Sequence, residues 1–150
     1  MIGCSDSTGN LNAVFGGAAT IETIQNATSV NAFRLKPSSE YHAHLSEYEM
    51  TSGPVVVPAD AASTLRSILL DTSTYEWDAA KACMPVYGVR IQFKLGAEEV
   101  DVLFCFECDI LGVYDNGAPM GGEDFDDARE EILSVIRKLF PDDADIQALK

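Results

Sequence analysis

The strongest constraint on the fold lies on either side of Gly96. Val89, Ile91, Phe93 and Leu95 alternate with Arg90, Gln92 and Lys94, while Val100, Val102, Phe104, Phe106 and Ile110 alternate with Asp101, Glu107 and Asp109. Successive side chains of a strand point to opposite faces, so a period of two sustained over these lengths requires two antiparallel strands with one buried face. Gly96 supplies the reversal between them. The other face carries cations on one strand and acids on its neighbour, and the register sets pairs such as Lys94 and Asp101 across from each other. Strand pairing accounts for those charges without a site.

The flanking segments read as further elements. Ile21, Ile24 and Ala27 recur at helical spacing, so a short helix runs from Ala18 to about Thr28. Phe33 and Leu35 alternate with Arg34 and Lys36 in a strand that Pro37-Ser38-Ser39 ends. A second strand covers residues 47–57, with Ser52-Gly53-Pro54 marking a bulge or a sheet edge. Pro58 introduces a helix in which Ala61, Leu65, Ile68 and Leu69 share one face. Tyr75 to Ala82 adds a short helical turn carrying Trp77. Asp115-Asn116-Gly117 is a turn signal opening a short strand or loop through Gly121-Gly122. The last helix starts near Glu123-Asp124, buries Phe125, Ala128, Ile132, Val135, Ile136 and Leu139, and ends before Pro141.

Residues 1–17 are small and polar and read as a flexible N-terminal tether; residues 18–150 form a single domain. A chain of 150 residues that is 47 % apolar buries about two thirds of its unfolded surface without covalent staples. The element order predicts an α+β fold, an antiparallel β-sheet with helices packed on one face in two layers.

Ten Lys and Arg against 24 Asp and Glu give a formal charge of −14, with no basic stripe. Nucleic acid is not an expected partner. A cationic protein, peptide or divalent metal suits that field, and the same charge keeps the surface soluble; which protein or small ligand is the partner is not set by it. No run approaches the roughly 20 apolar residues of a membrane span. The start, Met1-Ile2-Gly3-Cys4-Ser5-Asp6-Ser7-Thr8-Gly9, resembles the end of a bacterial lipoprotein signal peptide, in which a small residue precedes an acylated Cys and a polar tether follows. That resemblance implies lipid attachment at Cys4, membrane association through the lipid alone, and a location in the bacterial cell envelope; the alternative location is the cytoplasm.

Cys105-Phe106-Glu107-Cys108 has CxxC spacing. A zinc knuckle needs a tight turn between its thiolates and a second pair of ligands, and a thioredoxin-type pair starts at a helix N-terminus. In an extended strand the two cysteines fall on opposite faces, Cys105 on the charged one and Cys108 on the apolar one. Cys83 stands just before the partner strand, so a Cys83–Cys108 disulfide is expected, with Cys83–Cys105 as the runner-up. His42 and His44, joined by Cys105, are the remaining metal candidates. Asp115, Asn116, Glu123, Asp124, Asp126 and Asp127 lack the spacing of a calcium loop, and helix capping explains most of them. Tyr75, Trp77 and Tyr87 are candidates for an exposed binding patch.

No phosphate-binding loop, dinucleotide fingerprint, nucleophile elbow or HExxH is present, and no cofactor is implied. Two functions follow. The first is a non-catalytic exported binding protein anchored through Cys4. The second is a thiol- or metal-dependent protein built on Cys83, Cys105, Cys108 and the His42/His44 pair. Nothing in the sequence sets an oligomeric state.

Overall fold

The alternating segments form the middle of a six-stranded sheet. The computed structural model describes residues 7–78 and 81–150; Cys4 lies outside them. The strands are β1 (Ser29–Leu35), β2 (Met50–Val56), β3 (Val89–Leu95), β4 (Glu98–Cys105), β5 (Ile110–Asp115) and β6 (Ala118–Asp124). Their order is β2-β1-β3-β4-β5-β6, and every neighbouring pair is antiparallel. The described helices are α1 (Ser7–Phe15), α2 (Ala18–Asn26), α3 (Ala59–Leu69), α4 (Arg129–Leu139) and α5 (Ala144–Ala148). They cover one face, where Val89, Ile91, Phe93, Val100, Val102 and Phe104 meet Ile24, Leu65, Leu69, Ile132 and Ile136. The result is the two-layer α+β architecture.

Several boundaries differ from the sequence reading. The tether expected over residues 1–17 gives way to α1 from Ser7. Leu11, Val14 and Phe15, at i, i+3 and i+4, make a short apolar stripe that packs on the sheet beside β6. Glycine at 121 permits that approach, since a Cβ there would stand 2.4 Å from the Val14 carbonyl oxygen. The long second strand ends at Cys105; residues 106–109 form a turn, with Asp109 at φ 55°, and β5 begins at Ile110. Asn116 and Gly117, both at positive φ, close the β5–β6 hairpin, so Gly121-Gly122 lies in a full strand. Glu123 and Asp124 therefore belong to β6, and α4 starts only at Arg129 after a 3-10 turn over Asp126–Ala128. In place of a helical turn over residues 75–82, a 3-10 turn sits at Thr72–Thr74, where the Asp71 side chain accepts the Ser73 N–H. Part of the expected turn lies outside the described residues. β2 is an edge strand whose register shifts around Ser52-Gly53-Pro54, as Gly-Pro in a strand requires.

The cross-strand register also shifts. Lys94 opposes Glu99 and Asp101 opposes Gln92, so Asp101 takes its ion pair from Arg90, whose Nε lies 2.6 Å from Oδ1. The face opposite the helices is only partly solvated. Leu35, Leu45, Tyr48, Tyr87, Leu103, Cys105, Cys108 and Tyr114 form a second buried cluster beneath the irregular segments before β2 and β3.

Candidate binding site

Of the residues flagged from sequence, Cys83, Cys105 and Cys108 meet at one end of the sheet. Cys83 and Cys108 stand at disulfide-bonding distance, with Cα atoms 6.1 Å apart. Because β4 stops at Cys105, Cys108 rides on the β4–β5 turn and joins the second-face cluster, instead of the helix face expected for an extended strand. Cys105 remains a fully buried thiol whose Sγ accepts the Val86 N–H at 3.2 Å. The segment from Cys83 to Gly88 is thus tied to the turn at one end, laid over Cys105 in its middle, and bonded to β4 through Gly88 N–H to Phe104 O at 3.0 Å.

Two cations brace the turn. Lys81 Nζ donates to Cys108 O at 2.6 Å and pairs with Asp126 at 2.7 Å. Arg129, opening α4, donates to Phe106 O at 2.6 Å, pairs with Asp109 and donates to the Lys150 carbonyl at 3.0 Å. Arg129 therefore holds both the β4–β5 turn and the end of the chain.

Between them lies a cavity of about 310 Å³. Its apolar lining includes Phe106 and, fully buried behind it, Phe104, the two rings stacked at 6.0 Å with Phe125 edge-on to both. Ile146 and Leu149 of the C-terminal segment, Val86 and Glu107 also line it. The short α5 exists because Asp143 caps it, accepting the Ile146 N–H at 3.0 Å. Arg34 reaches the rim from β1; its Nε lies 2.6 Å from Asp143 Oδ2, and Nη1 donates to Gly88 O. Burial alone would push the Asp143 carboxyl up, but the bonds it accepts from Arg34 and Ile146, with the Arg34 charge, outweigh burial and hold it below the usual carboxylate range. Arg34 is thereby neutralised, and Glu107 and Asp145 are exposed lining groups without an ion-pair partner among the described residues.

The other sequence candidates do not converge here. His42 Nδ1 lies 3.4 Å from Glu47, its ring edge-on to Tyr48, while His44 Nδ1 accepts the Ser46 N–H at 3.1 Å. The two rings engage different partners, and among the described residues no three His, Cys, Asp or Glu side chains gather around one point. Asp115 and Asn116 stand at one end of β6, and Glu123 to Asp127 at the other, so that acidic set is divided by a whole strand. Tyr75 and Tyr87 are buried and Trp77 is partly buried, its Nε1 donating to Thr72 O at 3.1 Å; the three make no exposed patch.

Sequence reasoning missed Arg34, Glu107, Arg129, Asp145, Ile146 and Leu149 as site residues. Asp143 with Ile146 and Leu149 at threefold spacing after Pro141 was a readable capping signal. No protein-family model matches the chain, no curated protein matches it, and no solved structure matches it.

Proposed function

We propose that this chain is a non-catalytic binding protein of the bacterial cell envelope, carried on a lipid at Cys4, and that the cavity beside the β4–β5 turn holds its ligand. The observation that supports the reading is the pairing of Cys83 with Cys108, which ties the segment leading to Val86 to the turn that carries Phe106 and Glu107, both parts of the cavity lining. A cross-link that fixes part of a ligand-binding site persists in an oxidising compartment and is lost in the cytosol. An apolar lining with a few polar groups at the rim is the usual composition of a small-ligand site. The cavity offers no paired nucleophile and base, which favours binding over chemistry.

The test is expression of the full natural protein in bacterial cells supplied with an alkyne-tagged fatty acid, followed by fractionation and thiol counting. Label on the protein that disappears in Cys4→Ser, together with two thiols protected until reduction, is the expected result. Unlabelled protein in the cytosol with every cysteine reactive after denaturation would sink the proposal and favour the thiol-dependent alternative.

A further inference from the structure

The cavity's chemistry narrows its ligand class, an inference that rests on the reading of that cavity as the binding site. Arg34 is the one cation among the lining residues, and its charge is met by Asp143 at 2.6 Å while its Nη1 donates to Gly88 O. An anionic ligand would have to displace Asp143 from both Arg34 and the N-cap of α5. Glu107 enters from the β4–β5 turn and Asp145 from α5, so two different elements bring carboxylates to the cavity lining. Both are exposed and neither has an ion-pair partner among the described residues. The apolar lining that reaches the cavity is Val86, Leu149 and the edge of Phe106, with Phe104 and Ile146 buried behind them.

From this we infer that the site takes a small organic ammonium ion, a primary amine on a compact apolar body, with the body against Val86, Phe106 and Leu149 and the ammonium between Glu107 and Asp145. The volume of about 310 Å³ lies at the lower end of the roughly 300–1,000 Å³ range of small-molecule sites, which fits one ring with a short chain. A neutral apolar molecule would meet the apolar lining without using the rim. A carboxylate would face two like charges.

The experiment titrates 2-phenylethylamine, 2-phenylethanol and 3-phenylpropionate into the oxidised protein and follows backbone amides by NMR. Saturable shifts with the amine, confined to residues 86–89, 104–107 and 145–149, are expected. The alcohol should bind at least fivefold more weakly and the carboxylate not measurably. In Glu107→Gln/Asp145→Asn the amine should lose about tenfold in affinity, the scale expected when two exposed ion pairs are removed. Glu22→Gln/Glu130→Gln removes the same charge elsewhere and should leave affinity unchanged, which separates a site from attraction to the overall −14. Equal binding of amine and alcohol at these residues would overturn the ligand class while leaving the cavity as the site. Absence of localised shifts with all three probes, or equal weakening by both double variants, would overturn the inference and the binding site together; failure of lipid labelling at Cys4 would leave it standing.

Discussion

The two faces of the sheet are buried by different means, and their composition follows from what covers them. On the helix face the central strands contribute Val89, Ile91, Phe93, Val100, Val102 and Phe104, with no polar atom among their side chains. On the opposite face the same strands contribute Arg90, Asp101, Leu103 and Cys105, joined by Tyr114 of β5. A helix satisfies its backbone internally and can present a purely apolar stripe. An irregular segment cannot, so the sheet beneath it must supply partners for the covering backbone. Tyr114 OH lies 3.0 Å from His42 O, and Cys105 accepts Val86 N–H. The loop-covered face is accordingly where Tyr48, Tyr87, Tyr114, the Cys105 thiol and the Asp101 carboxylate collect.

If that contrast is right, the helix face should fail through lost packing and the other face through lost cross-links and polar bonds. Phe93→Ala, at a fully buried helix-face position, should destabilise by about 4 kcal/mol, as large cavities in closed cores do. Urea unfolding measures it; a loss under about 1 kcal/mol would mean that the helix layer is loosely packed. Cys83→Ser should cost about 3.5 kcal/mol, the loop-closure value for two cysteines separated by 25 residues. Wild-type protein in reductant should fall to the stability of the variant, whereas the variant should not respond to reductant.

The helix-covered half was the more legible half, except for α1 and α5. Its signals are periodicities: Val89 to Leu95, the apolar stripe of α3, and Ile132 to Leu139 of α4 are written in repeats of two or of three and four. The second face was not legible because its cover is irregular and has no period. Tyr48, Tyr87 and Leu45 are isolated apolar residues in polar stretches, and only their arrival beside Leu103 and Tyr114 makes them core. The β4–β5 turn was hidden for a related reason. Phe106 and Ile110 continue the alternation of β4 with the same parity, so a turn over residues 106–109 leaves the apolar pattern intact. Cys83 with Cys108 was nevertheless readable, since a pairing at the sheet end depends on proximity more than on register. The cavity was out of reach: Arg34, Glu107 and Asp145 come from three distant parts of the chain.

Asp101 tests the electrostatic side of the contrast. It is fully buried, Oδ1 is held by Arg90, and Oδ2 has no hydrogen-bond partner among the described residues. Burial pushes its carboxyl up to about 6, against the pull of the Arg90 charge and hydrogen bond; Glu99 nearby pushes in the same direction as burial and Lys94 opposes it. A carboxyl whose folded-state value exceeds its unfolded one binds its proton more tightly when folded. Its contribution is therefore present below about pH 6 and is lost as the pH rises through that value. Between pH 7 and pH 5 this one group should add about 1.4 kcal/mol to stability, and Asp101→Asn should remove that increment from the pH profile. Thermal unfolding at the two pH values decides it; an unchanged profile in the variant would assign the pH response to other carboxylates.

The smallest expected effect is the most discriminating, because it separates polar satisfaction from packing on the loop-covered face. Tyr114 OH also lies 3.1 Å from Tyr48 OH, whose ring sits edge-on to Tyr114 and Tyr87. Tyr114→Phe keeps the rings and their contacts but leaves the His42 carbonyl without that donor, which should cost about 1 kcal/mol. The loss should be local. Amide exchange of residues 42–48 should accelerate in the variant while the helix-face strands exchange as before. Uniform acceleration would mean that the two faces unfold as one unit. An unchanged rate at residues 42–48 would mean that packing of Leu45 and Tyr48 alone holds the covering segment, and that the hydroxyls there do not secure it.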